Sequence, residues 1–275
     1  MKVPSELTWS GSLHQTFRLL PGVKQSGNLR PFLEADGLTD TELLQRLPYD
    51  RARSRDSTNE TPDAKRYRDG RQVFQTVGLL YEEDTVIHVT DLGVATRRWL
   101  DIITPKNRGI LARHAAYALA ACQLRNPTGA GMKYADTINV FPFAFIWRVM
   151  LRLNGCITSE ELNRGMFKVQ NEAQLEDCVA NILQARELSN PSLLGEETIT
   201  GAHKNDRIIP WMSLASFGWT LFPDKDPEGY YRLDEVTLPL VREASRIKHQ
   251  HKQFTSVRAY IEHVSRCAAL PKDLR

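Results

Sequence analysis

Between Pro62 and Gly93 the chain reads PDAKRYRDGRQVFQTVGLLYEEDTVIHVTDLG, and few ways of folding satisfy this stretch. Val73, Phe74 and Val77 fall on one face of a helix, with Leu80 just beyond it. Lys65, Arg66, Arg68, Arg71, Gln72 and Gln75 fall on the opposite face. Gly78 can end the helix in a left-handed conformation, where any side chain would be strained. Leu79–Tyr81 and Val86–Val89 can form two short strands around an acidic turn, Glu82-Glu83-Asp84. Thr90 or Asp91 can then cap a helix beginning near Leu92.

The same order of parts recurs. In the first half, Asn28 can cap a helix from Leu29 to Glu34 that Gly37 ends, and Thr39 can cap the next, Asp40–Leu47, before Pro48. Tyr49–Pro62 is polar and without apolar periodicity, hence a loop. Thr104-Pro105 opens a helix to about Leu124, with Ile110, Leu111, His114, Ala115, Ala118, Leu119 and Cys122 at helical spacing. Its alanine-rich face suits close packing between two units, and Asn126–Gly131 reads as their boundary.

In the second half, the apolar helix Phe141–Asn154 is closed by Gly155. Thr158-Ser159-Glu160-Glu161 is a capping box with Ile157 as its hydrophobic staple, opening a short helix to about Phe167. Glu172–Ala185 is amphipathic and Leu188–Asn205 is a polar loop. A helix over Asp206–Phe217 ends at Gly218. Trp219–Phe222 and Tyr230–Leu233 then flank the turn Pro223–Gly229 as a second hairpin, before terminal helices at Asp234–His249 and Phe254–Ala268. A basic-faced helix followed by a two-stranded wing is the winged variant of helix-turn-helix, whose second helix enters the DNA major groove. The expected fold is mainly α with small β wings: tandem winged-helix subdomains bridged by a helical linker. The expected division is an arm at 1–28, a first subdomain at 29–103, a linker at 104–138, a second subdomain at 139–249 and a C-terminal helix at 250–275. The rival architecture is a single helical bundle without the hairpins.

At 275 residues, with 41% hydrophobic and 25% charged residues, the composition is that of a globular protein rather than a fibre or a disulfide miniprotein. Cys122, Cys156, Cys178 and Cys267 are far apart with no C-x-x-C pair, so reduced, mostly buried thiols are expected. No apolar run reaches the ~18 residues that span a bilayer. The longest, Val140–Leu153, is interrupted by Pro142 and Arg148, and the N-terminus lacks a secretion-signal core. A cytoplasmic protein is expected. A net charge of +3 does not itself argue for nucleic acid, but its distribution does. From Arg51 to Arg71 there are seven basic side chains against four acidic, and from Arg242 to Arg266 six against two.

The stretches Gln75-Thr76-Val77-Gly78-Leu79-Leu80 and Val89-Thr90-Asp91-Leu92-Gly93 resemble the DNA-recognition part of type IIS restriction endonucleases of the FokI kind. Those enzymes have a helix ending in Leu-Gly-Leu or Leu-Gly-Phe, a hairpin and a Thr-Asp-x-Gly cap. Phe141-Pro142-Phe143 leading into Ile157-Thr158-Ser159-Glu160-Glu161-Leu162 resembles their second subdomain, and Trp9 precedes a short N-terminal arm as in the family. The similarity spans roughly Trp9 to Ala244. It implies sequence-specific binding of double-stranded DNA as the recognition module of a restriction enzyme.

Chemistry for cleavage is not evident. Metal-dependent nucleases need an Asp with Glu-x-Lys or Asp-x-Lys on neighbouring strands. No Glu-x-Lys occurs, and Asp63-Ala64-Lys65, Asp224, Asp226 and Glu235 lie in polar, turn or helix-start segments. There is no phosphate loop, no nucleophile elbow and no H-E-x-x-H; His249-Gln-His251 reads as a solvated face at the end of a basic helix. No cofactor is expected in this chain. The nuclease, with its Mg²⁺, is expected on a further domain or a partner subunit.

The candidate DNA-binding residues follow from position. Arg71, Gln72, Gln75, Asn205 and Arg207 suit base edges, because Arg pairs with guanine and amides with adenine in bidentate geometry. Arg66, Arg68 and Lys248 suit phosphates. Lys65 belongs to the first helix face, His203, Lys204 and Asp206 to the equivalent place in the second unit, and Trp9, Ser10, His14 and Gln15 to the arm. Trp147 and Trp99 are expected in the core. Alternative readings are a plasmid replication initiator or transcriptional regulator with paired winged helices, or a winged-helix protein–protein adaptor.

Overall fold

The computed structural model describes residues 26–46, 71–102, 108–128, 138–201, 208, 211–212, 215 and 225–272, which are mainly helical with two small antiparallel sheets. Helices α1 (Ser26–Leu33) and α2 (Asp40–Arg46) precede α3, described at residues 71–76. The hairpin β1 (Leu80–Glu83) and β2 (Val86–Val89) leads into α4 (Asp91–Ile102) and α5 (Arg108–Ala121). The second half contains α6 (Pro142–Arg152), β3 (Cys156–Thr158), and α7 (Ser159–Glu161) running on as a π turn over Leu162–Met166. There follow α8 (Leu175–Glu187), α9 described at positions 208, 211, 212 and 215, β4 (Tyr230–Arg232), α10 (Leu238–Arg246) and α11 (Val257–Cys267). Among the described residues no helix is long and apolar enough to cross a membrane.

The two halves repeat one device. Thr39 and Glu42 cap each other: the Thr39 amide donates to the Glu42 carboxylate at 2.8 Å and the Glu42 amide to the Thr39 hydroxyl at 3.4 Å. Thr158 and Glu161 do the same at 2.8 and 3.1 Å. In each half the capping threonine is also paired to the strand that leads into the next long helix, Thr39 by a bridge to Val86 and Thr158 by its register with Tyr230. One short β contact thus fixes where the second helix starts relative to the hairpin. Glu161 is further gripped by the Arg186 guanidinium, whose Nε and one terminal nitrogen donate to its two oxygens at 2.6 and 2.9 Å.

Several expectations are revised. The first hairpin turns at Asp84-Thr85, both with positive φ (51° and 67°), so Glu82 and Glu83 are strand residues. Two left-handed residues give the backbone twist that a two-residue link between right-twisted strands requires. Strand β4 pairs with β3, which the sequence reading placed outside any sheet; the expected partner Trp219–Phe222 lies outside the described residues. The register sets Ile157 opposite Tyr231, both buried, so one face of this ladder closes on the core. Helix α1 starts at Ser26 rather than Leu29, and α10 stops at Arg246, where Ile247 turns extended.

The helix expected as a linker is central to the packing. Leu111, Ala112, Ala115, Ala116, Ala118 and Leu119 of α5 are buried, and α4, α6, α10 and α11 all pack against it. The C-terminal helix α11 returns to the first half, packing on α4, α5 and β1. Tyr260 donates to the Thr76 carbonyl at 3.0 Å and the Leu92 amide donates to Ser265 Oγ at 3.3 Å. All four cysteines are free, with Cys267 partly exposed and the rest buried, and Trp99, Trp147 and Trp211 are buried.

Gly78 combines φ +83° with a tight contact: a Cβ there would lie 2.7 Å from Val264 Cγ1 and 3.1 Å from the Ser265 amide. Gly37 has φ +77° but open space around it. Left-handed strain alone costs an alanine about 1–2 kcal/mol, and forcing extra volume into a packed core adds about 1–3 kcal/mol. Gly78→Ala is therefore expected to lower unfolding stability well beyond Gly37→Ala in urea titrations, with Val264→Ala recovering part of the loss in the Gly78→Ala background.

Candidate nucleic-acid interface

Helix α3 is anchored on its apolar side by Val73, Phe74 and Val77, with Phe74 edge-on to Phe32 at a centroid distance of 4.8 Å. Gln72 and Gln75 are half-buried on the other side. The carbonyl of Thr76, left without a helical partner at the helix end, accepts from Tyr260 at 3.0 Å and from the Cys122 thiol at 3.4 Å. The Thr76 hydroxyl contacts the Gln72 carbonyl at 2.8 Å and Thr128 Oγ1 at 2.7 Å. Thr128 is held by Asn126, whose side-chain amide donates to the Gln123 carbonyl at 2.8 Å. The expected boundary near Asn126 is, at least to Thr128, a hydrogen-bonded turn that braces α3.

Arg71, expected at base edges, is paired within the fold. Its guanidinium contacts the carboxylates of Asp40, at the start of α2, and Glu82, on β1, and its side chain is only 19% exposed. It joins three elements that the helical period could not place around it. Contact with a base would require breaking both pairs.

Lys248 is exposed, on the connection between α10 and α11 rather than on a helix. Trp9, Ser10, His14, Gln15, Lys65, Arg66, Arg68, His203, Lys204, Asn205, Asp206 and Arg207 lie outside the described residues, as do Asp63 and Asp224. Asp226 accepts from the Tyr230 amide at 2.8 Å and pairs with Arg232, the bonds of a turn. Among the described residues no group of three or more His, Cys, Asp or Glu side chains is arranged to hold a metal.

His249 and His251 are not a solvated helix face. Both are half-buried, with their rings 5.7 and 6.2 Å from that of Phe141, and their Nε2 atoms are buried without a protein partner. Burial, then the charges of Arg148 and Lys252, hold His249 below its usual range; burial and Arg125 do the same to His251. His263, its ring tilted against Phe254 at 5.3 Å, is pushed down to about 4 by burial and then by Lys252, His249 and Arg266.

These histidines are neutral in the fold at pH values where the unfolded chain, with pKa near 6.5, takes up protons. Stability is expected to be full above pH ~6.5 and to fall as pH drops towards about 4, where His263 itself becomes charged. Denaturant titrations at successive pH values should show a smaller loss between pH 7 and 5 in His263→Gln than in the parent. Arg71→Ala leaves Asp40 and Glu82 without their shared cation, and a loss of about 1–2 kcal/mol is expected for this partly exposed pair. Unchanged thermal stability in that variant would show that Arg71 does not hold these elements together.

No family model matches the chain, and no curated protein matches it. Among solved structures, it is similar to the BpuJ1 endonuclease binding domain, from a crystal structure of that domain in complex with pyrene- and phenanthrene-modified DNA. The two share 12% identity at a TM-score of 0.49, covering 87% of this chain and 91% of that one.

Proposed function

We propose that this chain binds double-stranded DNA in a sequence-specific manner, as the recognition module of a type II restriction endonuclease of the IIS kind. In this reading the two halves are winged-helix subdomains and α3 is the reading helix of the first. The observation that carries it is the setting of α3. One face is locked into the core, its end carbonyl is satisfied by Tyr260 and Cys122, and it runs directly into the β1–β2 hairpin with Gln72 and Gln75 on the remaining face. A helix so braced can enter a major groove without losing order on binding. Gln72 and Gln75 are assigned to base edges, where amides pair bidentately with adenine. Arg66, Arg68 and Lys248 are assigned to phosphates, and Asn205 and Arg207 to base edges from the second half. Cleavage is assigned to a Mg²⁺-dependent nuclease on another domain or subunit.

Selection from random duplex DNA is expected to enrich one short sequence at moderate salt; recovery of no preferred sequence would overturn the reading. Gln75→Ala is expected to relax the preference at one position by about 1–3 kcal/mol, the size of one bidentate base contact, while Arg68→Ala weakens all sequences alike. Incubation of the 275-residue chain with the selected duplex and Mg²⁺ is expected to leave the duplex intact.

A further inference from the structure

Residues 247–256, Ile-Lys-His-Gln-His-Lys-Gln-Phe-Thr-Ser, connect α10 to α11 without helix or strand and contain no carboxylate. Exposure along them alternates: Ile247, His249 and His251 are half-buried, whereas Lys248, Gln250 and Lys252 are exposed. A period of two is that of an extended segment with one face on the protein.

This strap is pinned along its length. Arg148 Nε donates to the Ser245 carbonyl at 2.9 Å and its NH2 to the Ile247 carbonyl at 3.4 Å, while its third nitrogen pairs with Glu172. Phe141 supports the rings of His249 and His251. Gln123, only 2% exposed, clasps one residue from both sides: the Lys252 amide donates to its Oε1 at 2.7 Å, and its Nε2 donates to the Lys252 carbonyl at 3.3 Å. Phe254 ends the strap edge-on to Tyr260 at 5.2 Å.

A mere connector between two helices needs neither a buried amide directed at its backbone nor lysines held outward by that grip. Fixing the backbone removes ordering cost from any ligand the lysines bind. Among the described residues, the cations that act on the histidines of its inner face and on His263 include Arg125, Arg148 and Arg266, with Glu172 paired to Arg148 and Glu262 to Arg266. The ligand that suits this surface is a polyanion. Lys248 and Lys252 are at most ~14 Å apart along the backbone, a reach that allows contact with separate phosphates of one strand. The route Gln123–Asn126–Thr128–Thr76 ties the strap to the end of α3.

We infer that the strap over residues 247–253 is a preformed clamp on the phosphate backbone of the nucleic acid that α3 reads, and that Gln123 is its positioning residue. The inference rests on the DNA-binding reading above and adds to it the element that grips the backbone.

The test is the salt dependence of binding by the full chain, to its selected duplex and to a random duplex. The double variant Lys248→Ala, Lys252→Ala is expected to bind both duplexes more weakly by the same factor, to keep the same selected sequence, and to reduce the slope of log K against log salt by about 1.8, at ~0.9 per phosphate contact. Gln123→Met is expected to lose part of that slope, and adding the lysine changes to it should then remove less than they do in the parent. An unchanged slope in the lysine double variant, with parental binding intact, overturns the clamp and leaves the DNA-binding reading standing. Full additivity of Gln123→Met with the lysine changes overturns the positioning role. No binding of any duplex by the parent overturns the underlying reading and the clamp with it.

Discussion

Small side chains on α5 let the two halves of this chain share one core. Alanines 112, 115, 116 and 118 are buried on a helix that meets α4 from the first half, α6 and α10 from the second, and α11 from the C-terminal end. A helix flanked on so many sides can be approached closely only where its side chains are short, since interaxial distance follows the size of the residues at the contact. The residues just beyond that helix then inherit fixed positions. Cys122 reaches the end of α3, Gln123 reaches the strap, and Asn126 and Thr128 form the turn between them. The surface assigned to DNA is thus positioned from the centre of the molecule rather than from its rim.

What the sequence made legible was local. The Thr158 capping box, the Thr39 cap, the left-handed glycine after α3, the first hairpin and the buried tryptophans Trp99 and Trp147 each depend on residues within about one turn or one hairpin of each other. The misses are non-local. Strand β3, three residues long, pairs with the expected strand β4 more than 70 positions away, and so short a ladder leaves no periodicity to read. Arg71 looked like a surface cation because helical spacing places it on the polar face. That spacing carries no information about Asp40, 31 residues upstream. His249 and His251 looked solvated because the Phe141 that covers them lies over 100 positions earlier.

The arginines show why charge runs mislead. Within the described residues, Arg30, Arg71, Arg148, Arg152, Arg164, Arg186, Arg232 and Arg258 each contact at least one carboxylate. Exposed pairs of this kind add little stability, whereas the Arg186–Glu161 fork is buried on one side and closes a capping box at the same time. In each case the cation is partly neutralised where it sits, so a count of basic residues overstates the positive field that a ligand would meet.

For a protein with this proposed role, such neutralisation has a consequence for selectivity. Binding to arbitrary DNA is driven by the number of phosphates neutralised and the counterions released. Discrimination comes from groups aimed at base edges. A chain in which many of the described arginines are paired internally, while a pinned strap holds Lys248 and Lys252 outward, keeps the first contribution small without weakening the second. Since any genome offers a vast excess of competing sites, the ratio between the two decides occupancy. A near-neutral total of +3 is then compatible with DNA recognition, because the useful charge is the fraction that the fold leaves facing outward on a fixed backbone.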